Sequence, residues 1–363
     1  MKVAIIGLPK SGKTTVFNAL TKGKAEVAAY SPSLTPNIGV AKVPDSRLSA
    51  LENIFHPKKT VPAEVSYADI TGSPKAFSSK EEIGGGLLSY LTTADALLQV
   101  VRAFEDGKIP HPEGSVDPKR DIATLDLELA FSDLAIIAKR LDRLEATLKG
   151  AKASERGLYL NEQLLLQKIK TALEKDMPIR EQGLAKDELK MLSNYQFLTA
   201  KPMLVVLNIG EEQIPRASQL EAEIRSLYPQ FAVVALCGKL EMELGQLSNA
   251  EAEEFREAMG LTTPALDWVI NLSYRLLGLI SFFTTASAEL KAWTIPRGIT
   301  APKAAGKVHS DMERGFIRAE VISYSDLERC GNLAEARKGG LLKMEGKNYV
   351  VQDGDVITFL FNV

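Results

Sequence analysis

The chain has 363 residues, enough for two or three domains, and its 45% hydrophobic and 25% charged residues are ordinary for a globular protein. Its formal net charge of −2 gives no global field that would draw it to nucleic acid or membrane, although a local basic patch is compatible with it. The two cysteines match no metal spacing, no apolar run could span a bilayer, and the N-terminus leads into a strand rather than a signal peptide. We therefore expect a cytoplasmic protein.

The first predicted elements are a strand at residues 2–6 and a helix from about Lys13 to Leu20. Between them, the stretch GLPKSGKT from Gly7 to Thr14 matches the pattern G-x-x-x-x-G-K-[ST]. A strand before this pattern and a helix after it are the context that a phosphate-binding loop (P-loop) needs. Backbone N–H groups of the loop, together with the positive end of the helix dipole, would hold the phosphates.

The loop supplies most of the predicted nucleotide contacts. Lys13 is expected to reach the β- and γ-phosphates and to stabilise the charge that develops during phosphoryl transfer. The Thr14 hydroxyl is expected to coordinate Mg²⁺. The predicted contacts of the loop are Pro9, Lys10, Ser11, Gly12, Lys13, Thr14 and Thr15.

A second candidate site segment follows a strand at 64–70. Asp69 begins the pattern D-x-x-G, so that it could hold Mg²⁺ through water, and Gly72 could offer its N–H to the γ-phosphate. The stretches 24–39 and 72–86 are rich in small residues and are predicted to be loops that respond to the nucleotide.

Three later apolar runs, at 96–101, 202–208 and 231–236, are typical of buried parallel strands, and helical stretches separate them. This pattern predicts a doubly wound α/β fold. After the second run, Asn208, Ile209 and Glu211 are candidates for contacting the nucleotide base, as are Cys237 and Gly238 after the third. A GTP-specific site would normally end this motif in Asp, whereas the longer Glu211 is compatible with adenine. The alternative is a loop without base contacts.

From about Lys119 to Ala200 the sequence predicts only helices. Leu127, Leu134, Leu141 and Leu148 recur every seven residues, and Ala130, Ile137 and Leu144 interleave with them at spacings of three and four. This heptad seam, with a similar spacing of Leu166, Ile169 and Leu173 on a second helix, indicates a coiled-coil hairpin inserted into the α/β domain. It would serve either as an arm for a partner or as a purely structural element. From about Ser281 onward, short β-like runs and a helix near 325–338 predict a small mixed sheet that acts as a binding module.

The chain resembles the YchF/Obg-like ATPase family over nearly its whole length. The stretches that carry the resemblance are GLPKSGKTTVFNAL, TPNIGVAKVPDSRL, FEDGKIPHPEGSVDPKRDI, LTAKPMLVVLN, the block from LGLISFFTT to AEVISY, and GKNYVVQDGDVITFLFNV. The resemblance implies a P-loop G domain over 1–280, interrupted by a coiled-coil insertion at 119–200. It also implies a C-terminal TGS domain of β-grasp form over 281–363. ATP hydrolysis in preference to GTP and association with ribosomes are implied as well.

Several positions depart from the family pattern. Lys10 replaces an Asn that helps to hold K⁺ in related enzymes, so its ammonium could act as a built-in cation; the alternative is a solvated surface lysine. The switch Thr that would ligate Mg²⁺ aligns with Ser33, or with Thr35 if the loop is shifted. Ser73 follows D-x-x-G where Ras-like enzymes have Gln, which predicts slow intrinsic hydrolysis.

The sequence thus predicts an ATP-hydrolysing, Mg²⁺-dependent switch that acts on the ribosome or RNA. The alternatives are a nucleotide-gated interaction module with little hydrolysis and a GTP-specific enzyme. We expect a monomer with no membrane association and no DNA sequence specificity. The basic residues Lys303, Lys307, Arg314 and Arg318 would line an RNA-facing surface, or else are scattered solvated charges. The histidines, His56, His111 and His309, are expected to have local structural roles.

Overall fold

A computed structural model describes residues 1–23, 36–70, 85–259, 261, 264–286 and 288–362. The chain forms two compact units. The first comprises Met1–Gly39 and Ser66–Val269, and the second comprises Val40–Val65 and Ile270–Val363. The second unit therefore includes a segment, Val40–Val65, that lies in the sequence between the two parts of the first unit. The sequence-based limits at 1–280, 119–200 and 281–363 stay predictions.

The described residues contain twelve strands. They are β1 (Lys2–Ile6), β2 (Asn37–Lys42), β3 (Lys59–Val61), β4 (Glu64–Asp69), β5 (Ala96–Arg102), β6 (Met203–Asn208), β7 (Ala232–Leu236), β8 (Leu279–Ala286), β9 (Glu289–Pro296), β10 (Phe316–Ser323), β11 (Lys343–Glu345) and β12 (Asp355–Phe361).

The helices that the structure describes number fourteen. They are α1 (Lys13–Thr21), α2 (Ser46–Phe55), α3 (Gly85–Thr93), α4 (Pro118–Gly150), α5 (Ala153–Leu173), α6 (Lys186–Leu192), α7 (Ala217–Leu227), α8 (Gly238–Leu244), α9 (Asn249–Ala258), α10 (Ala265–Leu276), α11 (Ala301–Val308), α12 (Ser310–Arg314), α13 (Tyr324–Cys330) and α14 (Leu333–Lys338). Short 3₁₀ turns span Ile179–Glu181 and Glu211–Arg216.

The first sheet has the strand order β2-β4-β1-β5-β6-β7, and the pairings from β4 to β7 are parallel. Its central strands are nearly continuous apolar runs because helices cover both faces of such a sheet. Since the strands are parallel, the ends of β1, β4, β5, β6 and β7 lie along one edge. Asp69, Arg102 and Asn208 are each the last residue of a strand there, and this edge is where open α/β sheets bind ligands.

Helices α4 and α5 form the predicted hairpin, and one of the two predicted heptad series of α4 is the more deeply buried. Ile137 and Leu144 are fully buried in a cluster that also contains Leu166 and Ile169 of α5. The leucine series is less buried, and Leu127 is 43% exposed. The two series are the alternating positions of one heptad seam, and Leu134 and Leu141 pack against the cluster that contains Ile137 and Leu144.

Buried polar side chains fix the base of the hairpin. The carboxylate of Asp133, which is fully buried, accepts hydrogen bonds from Leu198 N at 2.9 Å, Thr199 N at 2.8 Å and Thr199 Oγ1 at 2.7 Å. Lys201 donates from Nζ to the carbonyl of Thr92 at 2.8 Å, at the end of α3. The segment that leads from the hairpin back to β6 is thus held by both α4 and α3.

The second sheet is mixed, with the order β11-β10-β12-β8-β9-β3. β10 pairs antiparallel with β12, and β8 with β9, whereas β12–β8 and β3–β9 are parallel. The helix predicted near 325–338 is divided into α13 and α14. Gly331 adopts φ 75°, which ends α13, and Asn332 caps α14 by accepting from Glu335 N.

The predicted fold class is confirmed: a P-loop α/β domain carries a helical insertion, and a domain with a β-sheet follows it. None of the helices among the described residues has the length and apolar character needed to cross a membrane.

Candidate functional site

The P-loop leaves β1 at Gly7, and two glycines are required by its path. A Cβ atom on Gly7 would lie 2.3 Å from the carbonyl oxygen of Val100. At Gly12, where φ is +90°, a Cβ atom would lie 2.2 Å from Nδ2 of Asn208. Lys10 also has a left-handed backbone, with φ 64°. The loop is therefore packed closely against β5 and Asn208, with no room for side chains at these glycines.

Lys13 is only 9% exposed and bends back over the loop. Its Nζ donates to the carbonyl oxygens of Gly7 at 3.0 Å and Leu8 at 3.1 Å. Burial lowers the pKa of Lys13 to about 8, while the nearby Asp69 carboxylate opposes that shift. A buried ammonium that donates to two neutral carbonyls and lies near one carboxylate is arranged to receive an anion such as phosphate.

Thr14, in the first turn of α1, contacts Asp69, the last residue of β4. The Thr14 hydroxyl donates to Oδ2 of Asp69 at 2.6 Å. Asp69 is fully buried, and burial raises its pKa although the Thr14 hydrogen bond and the Lys13 charge lower it. Its other oxygen, Oδ1, has no hydrogen-bond partner within the described parts of the chain.

Asn208 connects the P-loop to the loop after β7. Its Nδ2 donates to the backbone carbonyl of Ser11 at 3.0 Å, and its Oδ1 accepts from the backbone N–H of Gly238 at 3.0 Å. The side chain is 5% exposed, so that these bonds are made in a buried setting. The amide thus fixes the distance between two loops whose backbone groups would face a nucleotide.

The other predicted base contacts lie near this bridge. Glu211, which begins a 3₁₀ turn after β6, accepts a hydrogen bond from Lys239 Nζ at 3.1 Å. That contact raises the pKa of Lys239. Cys237 is buried, which raises its thiol pKa. The side chain of Ile209 is 2% exposed and belongs to the core of the first unit, which leaves only its backbone to face a ligand.

The remaining P-loop residues differ in exposure. Pro9 and Lys10 are exposed, and Lys10 Nζ lies 3.5 Å from the carbonyl oxygen of Pro110. Ser11 is buried, and its hydroxyl has no hydrogen-bond partner in the described residues. Thr15 is half-buried on α1. Ser33, Thr35, Gly72 and Ser73, which carry the predicted switch functions, lie outside the described residues.

One side chain at the site, Arg102, was not assigned to it from the sequence. Arg102 ends β5 and is 2% exposed, although it is charged. The sequence signal that could have identified Arg102 is a charged residue placed directly at the end of a buried apolar run. His111, expected to be local and structural, hydrogen-bonds Oδ2 of Asp121 at 2.9 Å at the start of α4.

The strand, P-loop and helix, the Asp69 strand and the Asn208 bridge define a P-loop nucleotide-binding domain of the GTPase type. A family model described as "50S ribosome-binding GTPase" matches residues 2–136. A second, described as "YchF-GTPase_C: Protein of unknown function (DUF933)", matches residues 279–362.

Similar proteins span the whole chain. "Ribosome-binding ATPase YchF" of Bacillus subtilis (strain 168) is 41% identical, with all of both chains covered. "Obg-like ATPase 1" of Caenorhabditis elegans is 36% identical over 100% of this chain and 92% of its own. The solved structure of the Schizosaccharomyces pombe YchF GTPase has a TM-score of 0.85 at 30% identity, and the match covers 99% of this chain and 97% of that one.

The chain belongs to the YchF family of P-loop nucleoside-triphosphate hydrolases. The resemblance found in the sequence is therefore confirmed, and so is the prediction of an enzyme of this class.

Proposed function

We propose that the protein binds ATP with Mg²⁺ at the P-loop, hydrolyses it slowly, and uses the nucleotide to control association with the ribosome. The observation that carries the proposal is the juxtaposition of Lys13, Thr14 and Asp69 at the end of the central strands. A buried ammonium, a hydroxyl and a buried carboxylate are the groups that a Mg²⁺-bound triphosphate needs.

The residues present fit a Mg²⁺ ion. Because the Thr14 hydroxyl directs its hydrogen to Asp69, its oxygen lone pairs stay available as a ligand. Oδ1 of Asp69 is buried without a partner among the described residues and could accept from a metal-bound water. When bound, the ion would neutralise charge on the β- and γ-phosphates. Thr14 and Asp69 would hold it, and Ser33 is proposed as a further ligand.

The remaining contacts to the phosphates would come from this chain's own residues. The backbone N–H groups of the P-loop and Lys13 would bind the phosphates and stabilise charge on them during transfer. Gly72 is proposed to donate its N–H to the γ-phosphate. Ser73 cannot extend to an attacking water as a Gln side chain does, so we expect slow turnover in the absence of a partner.

The base is proposed to lie beside Asn208, Glu211 and the Cys237–Gly238 segment. Glu211 would accept from the adenine N6 amino group. Its carboxylate is already shared with Lys239, which leaves it poorly placed to accept from two guanine donors at once. The second candidate is GTP, because the Schizosaccharomyces pombe relative is described as a GTPase.

A ribosomal partner is proposed because relatives along the full length are named ribosome-binding ATPases. Action on ribosomes would place the protein in the cytoplasm, and we propose that it acts as a monomer. Two of the four residues of the predicted basic surface are neutralised by acidic partners, since Lys303 pairs with Glu313 at 2.6 Å and Arg314 pairs with Asp311. We propose ribosomal RNA as a partner because of the ribosome-binding relatives, and we do not assign these basic residues to its binding surface.

The test is calorimetric titration of the purified chain with ATP and with GTP, each with Mg²⁺, followed by turnover with and without purified ribosomes. ATP tighter by about tenfold or more, equivalent to about 1.4 kcal/mol, supports the proposal. Tighter GTP would make the protein a GTPase. Nucleotide binding with no turnover, even with ribosomes, would favour the interaction-module alternative.

A further inference from the structure

Arg102 is a charged residue at the end of a buried strand. It is the last residue of β5, it is 2% exposed, and it is paired in register with Asn208 of β6. Paired residues of neighbouring parallel strands point to the same face of the sheet. The Arg102 side chain therefore lies on the same face as Asn208, which contacts the P-loop at Ser11.

The P-loop lies on the other side of β5. Ile6 of β1 is paired with Gln99, and the loop begins at the next residue. A Cβ atom on Gly7 would lie 2.3 Å from Val100 O, so that the start of the loop touches β5 two residues before Arg102. Arg102 is thus flanked by the P-loop and by Asn208 at the nucleotide-binding edge.

The Arg102 guanidinium lacks a counter-charge among the described residues. Nε donates to the carbonyl oxygen of Phe104 at 3.1 Å, and the guanidinium carbon lies 4.5 Å from the centroid of the Phe104 ring. Nη1 is buried and has no acceptor in the described chain. Burying an ion is costly unless an opposite charge and hydrogen bonds compensate it.

The charges of the described residues at this edge are also unbalanced. Among them, Lys13 and Arg102 are buried cations, and Asp69, which faces Lys13, is a buried carboxylate at the end of β4, the strand beside β1. A site with excess buried positive charge is completed by an anion. Because the interior screens charge poorly, a cation there acts over a longer distance than one in water.

We propose that Arg102 is an electrostatic positioning residue for the nucleotide: its buried charge favours binding of a triphosphate over a diphosphate. This inference rests on the proposed nucleotide-binding function and adds a residue to it. Arg102 would act through the field at the P-loop, without touching the reacting atoms. Burying the Arg102 charge destabilises the nucleotide-free protein, and the extra negative charge of the γ-phosphate offsets that destabilisation.

The test compares Arg102→Met, which removes the charge and keeps much of the length, with the unchanged full chain. We expect the nucleotide-free variant to resist urea at least as well as the wild type. Calorimetry should show Mg²⁺–ATP binding weakened about tenfold and Mg²⁺–ADP binding weakened about threefold or less, because the third phosphate adds charge near the site.

Arg180→Met is the matched control. The Arg180 side chain is also largely buried, at 10% exposure, but it is paired with Asp126 at 2.7 Å and lies over the Phe231 ring at 5.0 Å. Removing it leaves Asp126 without its partner. We expect lower stability towards urea and unchanged nucleotide affinity, which is the opposite of the result expected for Arg102→Met.

Arg102→Lys keeps the charge and covers the case in which Arg102→Met does not fold. It should retain ATP affinity within about threefold of the wild type, because the field depends on charge. Equal losses of ATP and ADP affinity, unchanged affinity in Arg102→Met, or a loss in Arg102→Lys as large as in Arg102→Met would overturn the inference alone. If the wild-type chain binds neither nucleotide, the proposed function fails and this inference fails with it.

Discussion

Asn208 donates a hydrogen bond from Nδ2 to the backbone carbonyl of Ser11, over 3.0 Å, and thereby attaches the end of β6 to the P-loop. The same side chain accepts from Gly238 N, so that one amide positions both loops proposed to enclose the nucleotide. The two residues are 197 positions apart in the sequence, and only the parallel order β1-β5-β6 brings them together.

Asn208→Ala should therefore weaken nucleotide binding and destabilise the chain. It leaves a buried acceptor on Ser11 and a buried donor on Gly238 without partners, at a cost of about 1–3 kcal/mol each. We expect ATP affinity in calorimetry to fall at least about tenfold. Gln219→Ala, on the exposed face of α7 where Gln219 bonds Glu223, is the control and should leave both quantities unchanged. Nucleotide affinity equal to that of the wild type would contradict a linking role for Asn208.

Most strands of the nucleotide edge could be predicted from the sequence because β1, β5, β6 and β7 are largely apolar runs, and site motifs follow β1, β4, β6 and β7. Asp69 and Asn208, placed at strand ends by the sequence, are the last residues of β4 and β6. The P-loop was equally predictable, since its spacing fixes which backbone groups face a phosphate.

Other features depend on three-dimensional packing and could not be predicted. The heptad pattern indicated both series of the hairpin seam but not that the series with Ile137 and Leu144 would be the more deeply buried one. The pairing of Arg102 with Asn208 is a matter of strand order, which local sequence does not encode. The membership of Val40–Val65 in the second unit likewise results from contacts distant in sequence.

Thr14→Val should remove the advantage that Mg²⁺ gives to ATP binding. The substitution keeps the shape of the side chain but deletes the oxygen that is proposed as a ligand and the hydrogen bond to Asp69. Calorimetry with MgCl₂ and with EDTA should show a clear Mg²⁺ effect for the wild type and little effect for the variant. Thr14→Ser, which keeps the hydroxyl, should behave like the wild type. A Mg²⁺ effect of normal size in Thr14→Val would rule out this ligand.

Glu211→Asp should shift the base preference towards GTP. The shorter carboxylate restores the residue that ends the motif in GTP-specific sites and withdraws from Lys239. We expect the ratio of ATP to GTP affinity to fall by about fivefold or more, the size of one lost or gained hydrogen bond. Lys239→Met tests the pairing separately, since it frees the Glu211 carboxylate without shortening it. If neither variant changes the ratio, the base does not contact Glu211.

Asp133 should make the stability of the chain depend on pH. Burial raises its pKa to about 6, against the hydrogen bonds from Thr199 and Leu198 that lower it. An acid that binds its proton more tightly when folded contributes stability below the unfolded pKa of about 4, and this contribution is lost as the pH rises through about 6. The wild type should therefore lose stability relative to Asp133→Asn between pH 4 and pH 7, by on the order of 3 kcal/mol. Urea unfolding at several pH values measures the two free energies of unfolding. If the stability of the wild type relative to Asp133→Asn stays constant or rises with pH, the three hydrogen bonds outweigh burial.

The hypothesis that the Lys10 ammonium takes the place of a bound K⁺ can be tested by turnover in different salts. Its backbone is held in the left-handed region, and its ammonium lies at the rim of the P-loop, 3.5 Å from Pro110 O. If this charge replaces a bound K⁺, turnover of the wild type in KCl and in NaCl should agree within about twofold, since both ions screen equally. Lys10→Asn, which supplies an oxygen ligand instead of a charge, should then be stimulated by K⁺ but not by Na⁺. Lys22→Asn, a change at the end of α1 that also removes one positive charge, should show no such difference. Strong K⁺ activation of the wild type would mean that Lys10 is a solvated surface lysine and that a separate ion is needed.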